Sequence, residues 1–416
     1  MPRPKLILSG QLMLPDPPER MKLRPGTVIL DDGHIAEVIE GDVAENANLG
    51  GPDCLICPGF IDTHVHLPQF DSIGAHGLPL LEWLQEFVFP AEAEWADETF
   101  AAEMTERVID QCFAFGTTAI AGYATVHHGG TAAALAVAAN RGMKGVIGQV
   151  LMDRGAPDFL VRDAGRLIDE TAELLGRFPP GDRMAAAVTP RFAICCTPKL
   201  LSLAGGLAAE SGSLVQTHLS ETLPECRQVR DLFDGQRYVD VYRDAGLLTP
   251  RSLLGHGVHL GESDRRILTE TESVVAHCPT ANSFLRSGTM DRSAILRDGV
   301  RISLGSDIAG GYERSMVRVA RAMIEAAASF PGGDVPSASA AWWTILHGNA
   351  AALGRPDGDR WTVGQSADFL VIRPDIAWQT SDDPTTLARL MFAWDDRWLR
   401  QTIVRGEVVY GRETFR

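Results

Sequence analysis

Pro58-Gly-Phe-Ile-Asp-Thr-His-Val-His66 is a short apolar run that closes on two histidines one residue apart. Side chains along a strand alternate between faces. His64 and His66 therefore share one face, and Val65 points the other way. Two adjacent imidazoles at the end of a strand form a natural clamp for a metal ion.

Downstream, the unit strand, loop, helix recurs. Strands are predicted at 59–66, 117–121, 144–150, 184–188, 214–218, 252–256, 273–277 and 300–304, with room for a helix between most neighbours. One helix is explicit: Asp97 can cap it, Phe100, Met104, Val108 and Cys112 follow at i, i+4 spacing, and Gly116 can end it. Eight such units over roughly 300 residues predict an α/β fold, a (β/α)8 TIM-type barrel. The two ends of the chain read as β. Segments 27–30 and 35–39 flank Asp32-Gly33, a hairpin signal, while 367–372 and 401–404 precede a turn at Arg405-Gly406 into 408–410. Neither end can bury much core alone. The expectation is one small β-sandwich from residues 1–57 plus 363–416 beside a catalytic barrel of 58–362.

Composition narrows the function. Of 416 residues, 38 are Lys or Arg and 54 Asp or Glu, a net charge of −16, which disfavours binding to a nucleic-acid backbone. No apolar stretch is long enough to span a membrane, and the opening residues, interrupted at Pro15, lack a signal-peptide pattern. Seven scattered cysteines, an odd number, suit free thiols in a reducing compartment and imply a cytoplasmic location. Cys54 and Cys57 stand without a second pair and read as small buried apolar residues. A Walker loop, a G-x-S-x-G elbow and a G-x-G-x-x-G fingerprint are absent, as is the P-C-x-x-C of the unrelated zinc nucleobase deaminases.

Barrel enzymes place their chemistry at the C-terminal ends of the strands. There stand His64 and His66 on strand one, His218 on strand five, His256 on strand six and Asp307 just past strand eight. A lone histidine is more often a packed core residue than a ligand. His64, His66, His218 and Asp307 together are read as ligands of one Zn2+ per chain. Strand four carries no Lys near its end, which removes a bridging carbamate and favours one metal over two. Glu221 is read as a proton shuttle, with a helix-capping acid as the alternative. His256 is assigned to orienting the water or polarising the reacting carbon, and Asp307 to bonding the water as well. His127, His128, His259 and His277 sit near strand ends as supporting candidates, while His34, His76 and His347 read as surface or packing residues.

The stretch 58–66, with Thr217-His-Leu-Ser-Glu221, Gly255-His256 and Gly305-Ser-Asp307, resembles the amidohydrolase superfamily, and Leu346–Gly354 looks like its closing helix. Within it the chain is most similar to the guanine deaminases. The marks are Leu78-Pro-Leu-Leu-Glu-Trp-Leu84, Phe89-Pro-Ala-Glu92, Thr189-Pro-Arg-Phe192, Ala276-His-Cys-Pro279 with Asn282, and Leu304-Gly-Ser-Asp-Ile-Ala-Gly-Gly-Tyr312. The resemblance implies a mononuclear zinc, a homodimer, and contacts to guanine from Gln69, Arg191, Phe192, His218 and Glu221. Arg offers a fork of donors and Gln both a donor and an acceptor. Trp83 and Leu81 are read either as an apolar lid or as ordinary helix packing. The chain departs from the family pattern at His127-His-Gly-Gly130 and Ala193-Ile-Cys-Cys-Thr197, which bears on substrate breadth.

The expected reaction is addition of zinc-bound hydroxide to C2 of guanine, with Glu221 moving protons, to give xanthine and ammonia. Two other readings stand beside it. One is a sister amidohydrolase that deaminates another heterocycle (a pterin or triazine) or opens a cyclic amide. The other is a metal-retaining scaffold without catalysis.

Overall fold

The computed structural model describes residues 5–354, 361–378 and 385–412. The chain enters through four strands, β1 (Leu6–Asp16), β2 (Arg20–Asp31), β3 (His34–Glu40) and β4 (Leu49–Pro58). It then builds eight strands in sequence order: β5 (Phe60–His66), β6 (Thr117–Tyr123), β7 (Lys144–Leu151), β8 (Met184–Pro190), β9 (Val215–Leu219), β10 (Ser252–His256), β11 (Val274–His277) and β12 (Arg301–Leu304). It ends with β13 (Phe369–Ile372), β14 (Leu399–Val404) and β15 (Glu407–Gly411). Every barrel strand expected from the sequence is present. Neighbours β5 to β12 pair in parallel, each with the next.

The cylinder closes between β5 and β12. Val65 bridges to Ile308, and Thr63 Oγ1 donates to the Leu304 carbonyl at 2.9 Å. One side chain from the C-terminal helical run also spans the seam. Asn349 Nδ2 donates to the carbonyls of Ile61 (2.7 Å) and Leu304 (2.8 Å), and its Oδ1 accepts from Leu304 N. A buried amide that satisfies three backbone groups substitutes for missing ladder bonds. The helix Glu98–Ala114 forms as its spacing predicts: Asp97 accepts from the backbone of Thr99 and Phe100, and Met104, Val108 and Cys112 are buried.

Both ends join in one seven-stranded sheet, ordered β15-β14-β13-β4-β1-β2-β3. It curls until β3 meets the stretch leading into β13, where Ile35 N donates to Gln365 O and Ala367 N to Gly33 O. The expected sandwich is thus a continuous sheet turned over a core that includes Leu12, Val28, Ile56, Phe369 and Ile403. β1 and β4 were not legible in sequence. Ser9, Gly10, Gln11 and Pro15 break the apolar alternation of β1, and its parallel partner β4 lies far along the chain. Cys54 and Cys57 lie on opposite faces of β4, in different cores, and both are free.

One ion cluster ties the end sheet to the barrel. Asp368, just before β13, takes Lys144 Nζ at 3.0 Å, Arg183 Nη2 at 2.8 and 2.9 Å, and the backbone N–H of Arg405 at 2.9 Å. Burial alone raises a carboxyl, but here the Lys144 and Arg183 charges outweigh it and hold Asp368 at about 2. A lowered folded pKa stabilises above the unfolded value and is lost as pH falls through the folded one. Asp368→Asn is therefore expected to lose about 3 kcal/mol at neutral pH, measured by urea unfolding. The deficit against the parent should shrink as pH drops toward 2. An equal deficit at all pH values would contradict the ionic origin.

Candidate active site

The C-terminal strand ends deliver the expected residues to one mouth of the barrel. His66 Nε2 lies 3.0 Å from His218 Nε2, and Asp307 Oδ1 lies 3.4 Å from both His64 Nε2 and His66 Nε2. The stretch after β12 is stitched onto β5: Asp307 N donates to His64 O (2.8 Å), His66 N to Ile308 O (2.9 Å) and Ser306 N to Asp62 Oδ1 (2.9 Å). His256 (φ 70°) and Asp307 (φ 51°) both adopt the left-handed region that non-glycine residues seldom use. Such strain concentrates where side chains must be aimed. Gly255 and Gly305 are required by contact: a Cβ on the first would sit 2.6 Å from His64 Cε1, and on the second 2.4 Å from His64 Cβ.

This donor set fits a divalent cation. His64 Nε2 is buried with no hydrogen-bond partner among the described residues. His218 Nδ1 is 2.6 Å from the Arg191 carbonyl, which fixes the proton there and leaves Nε2 as a lone pair. Burial, then neighbouring imidazoles and the Arg191 charge, hold His64, His66 and His218 well below the ordinary histidine range. They are neutral rings, as metal ligation needs. Tyr123 packs against all three at 4.6–4.9 Å between ring centroids, which locks their rotamers. His256, assigned to the water rather than the metal, also forms a second potential donor group with His64 and Asp307. Its Nδ1 bonds Asn282 Oδ1 at 2.9 Å, and Nε2 faces Glu221 at 3.4 Å and Asp307 at 3.9 Å.

Glu221 is aimed into the site. Its Oε1 accepts from Ser287 Oγ at 2.6 Å. The capping role belongs to its neighbours: Thr222 caps the helix Leu223–Leu232 and Glu225 returns the second bond of the capping box. Burial, reinforced by the Asp307 charge, pushes the Glu221 carboxyl up to about 8 against the Ser287 hydrogen bond. A carboxyl poised near neutrality can both accept and donate a proton.

Over this cluster lies a cavity whose lining includes Gln69, Trp83, Arg191, Phe192, His218 and Glu221. All six substrate contacts expected from the sequence therefore meet in one place. The lid differs from expectation in one residue. Leu80, Trp83 and Leu84 line the cavity, as one helical face requires, while Leu81 lines a neighbouring groove. Trp83 is fixed by its Nε1–H to the Ala75 carbonyl at 2.9 Å.

A model of the amidohydrolase family matches residues 55–409. The chain belongs to the amidohydrolase family. Among its relatives is the guanine deaminase of Escherichia coli K12, 34% identical over 368 residues, 86% of this chain and 83% of that one. The guanine deaminase of Dictyostelium discoideum is 32% identical over 369 residues, 85% and 82% of the two chains. Among solved structures, E. coli guanine deaminase superposes with a TM-score of 0.90 at 29% identity, covering 99% of this chain and 100% of that one. The C. acetobutylicum enzyme with bound guanine in its active site gives 0.89 at 26% identity, covering 98% and 100%.

The remaining histidines of this amidohydrolase stand outside the cavity. His127 lies at the start of the helix His128–Asn140, and His128 Nε2 is 3.5 Å from Glu173. His277 borders a separate cavity. His259 acts at one remove, since its Nε2 bonds the carbonyl of Ser287, the residue that holds Glu221. Sequence reading gave Ser287 and Asp62 no role; nothing local distinguishes a serine that meets a glutamate 66 residues away. Asn282 and Glu92 stood within quoted motifs, but their partners could not be read from them.

Proposed function

We propose that this chain is a guanine deaminase, hydrolysing guanine to xanthine and ammonia. The observation that carries the reading is the convergence of Gln69, Arg191, Phe192 and Glu221 on the cavity that His66, His218 and Asp307 also line. Relatives named guanine deaminase, aligned over more than four fifths of both chains, support the substrate.

We assign Zn2+ to His64, His66, His218 and Asp307, because neutral imidazoles with one carboxylate suit that ion. When bound, zinc supplies a Lewis acid that lowers the pKa of water from 15.7 to about 7. The chain's own groups do the rest. Glu221 takes a proton from the water that adds to C2 and delivers it to N3, leaving a tetrahedral carbon. The remaining water proton, passed from the new hydroxyl to the exocyclic amine, lets the C2–N bond break, so that ammonia leaves and the C2 carbonyl of xanthine forms. His256, held by Asn282, directs Nε2 toward Glu221 and Asp307 and so toward the water between them. Arg191, with Phe192 beside it, grips the far edge of the base, and Leu80, Trp83 and Leu84 exclude bulk water.

The test is direct. The purified chain, loaded with zinc, should release ammonia and xanthine from guanine in equal amounts. Ammonia from a pterin or triazine but none from guanine would replace this reading with the sister activity. Among the described residues no helix is long and apolar enough to cross a membrane. The free cysteines support a reducing, cytoplasmic compartment. Sedimentation velocity at twice the chain mass would bear out the homodimer implied by the family resemblance.

A further inference from the structure

Phe89-Pro-Ala-Glu92 is a motif that the reaction above leaves without a role. It opens the helix Phe89–Glu94, and Glu92, in its first turn, is wholly buried. Arg191 Nη1 donates to Glu92 Oε1, and the Arg191 guanidinium lies 5.4 Å from the centre of the Phe89 ring. The same short helix thus anchors Arg191 by charge and by its aromatic face. Burial pushes the Glu92 carboxyl up, and Arg191 and Gln69 pull it back. Glu92 itself is not part of the cavity lining, whereas Gln69 and Arg191 both are.

Gln69 is buried, and its Oε1 has no hydrogen-bond partner among the described residues; neither does Glu92 Oε2. Two acceptor oxygens cannot bond each other. The turn that carries Gln69 packs against the helix of Glu92, and a side-chain hydrogen bond from Gln69 helps hold the Glu92 carboxyl down; only Nε2–H can donate it, so the amide has one favourable orientation. Its Oε1 is then left for whatever fills the cavity. An amide free to flip would offer a donor or an acceptor there equally well. The carboxylate removes that freedom.

We propose that Glu92 is a positioning residue that sets the hydrogen-bond polarity of the substrate-reading wall. It holds Arg191 as a donor and turns Gln69 so that Oε1 is an acceptor beside it. A donor next to an acceptor complements a ring carbonyl adjacent to a ring N–H. The 6-amino counterpart presents the reverse pattern and is rejected. This inference rests on the guanine deaminase reading and adds the origin of its selectivity.

The experiment compares guanine with 2,6-diaminopurine, which carries the same reacting amine on C2 but an amino group in place of the 6-carbonyl. The readout is the ratio of the two kcat/KM values, with the 2-oxo-6-amino product quantified for the second substrate. A ratio is independent of the fraction of protein that is active. Glu92→Gln should lower this ratio by about 10- to 100-fold, chiefly through a higher KM for guanine, with metal content unchanged. Gln69→Met, which keeps the volume but removes the acceptor, should lower the ratio in the same way. If either variant keeps the parent ratio, or if both substrates lose efficiency equally, the proposal is overturned. A parent that releases no ammonia from guanine overturns the function itself, an outcome distinct from an unchanged ratio in an active enzyme.

Discussion

Glu221→Gln is expected to lower kcat on guanine by roughly 10²- to 10⁴-fold while the protein keeps its cation. The substitution preserves shape. The amide oxygen can still accept from Ser287, which now bonds Oε1 at 2.6 Å, so the side chain should stay in place. What is lost is the ability to take up and release a proton. Every proton in the reaction must pass a group near both the water and the ring. Of the two glutamates that line the cavity, Glu225 is engaged in capping a helix, whereas Glu221 approaches His256 Nε2 at 3.4 Å. Burial and the Asp307 charge push its carboxyl up, which favours proton uptake. Ammonia release together with metal content checks the outcome. A fully metallated variant turning over at the parent rate would sink the shuttle role.

His66→Ala should empty the metal site and abolish activity. His66 Nε2 stands 3.0 Å from His218 Nε2 and 3.4 Å from Asp307 Oδ1, so its loss opens the middle of the cluster. Disturbing even an outer partner of a ligand costs about 10- to 100-fold in metal affinity. Deleting a ligand is expected to exceed that and leave the purified protein substoichiometric. His128→Ala, a change at a histidine 3.5 Å from Glu173 and outside the cavity, should retain its metal. Elemental analysis of the two variants decides. Full occupancy in His66→Ala would remove that residue from the ligand set.

The legible part of the fold was the part built from local contacts. Most barrel strands are short buried runs, such as Met184–Pro190, whose apolar character needs no partner to be recognised. β1 was hidden because its pairing with β4 bypasses β2 and β3 and passes a bulge near Ser9. The metal-ligand candidates were legible for a different reason. A barrel makes all its strand ends neighbours, so histidines far apart in sequence could be assigned to one mouth once eight units were counted. The groups that hold them in place were not legible, since they come from loops and helices whose approach no periodicity encodes. Asn282 on His256, Ser287 on Glu221 and Glu92 on Arg191 are of this kind.

The contrast is sharpest at Glu221 and Glu225, two glutamates four residues apart in one polar stretch. By itself the sequence determined the cylinder, the position of its reactive mouth, and an imidazole and carboxylate set able to hold one ion, because these follow from side-chain period and strand order. Only the tertiary structure decided which glutamate caps a helix and which faces Ser287 and His256 across the cavity, and how the Gln69 and Arg191 wall is braced. Those outcomes depend on backbone direction after Ser220 (φ 48°) and on contacts between segments as much as 99 residues apart. Such contacts exist only once the barrel has closed.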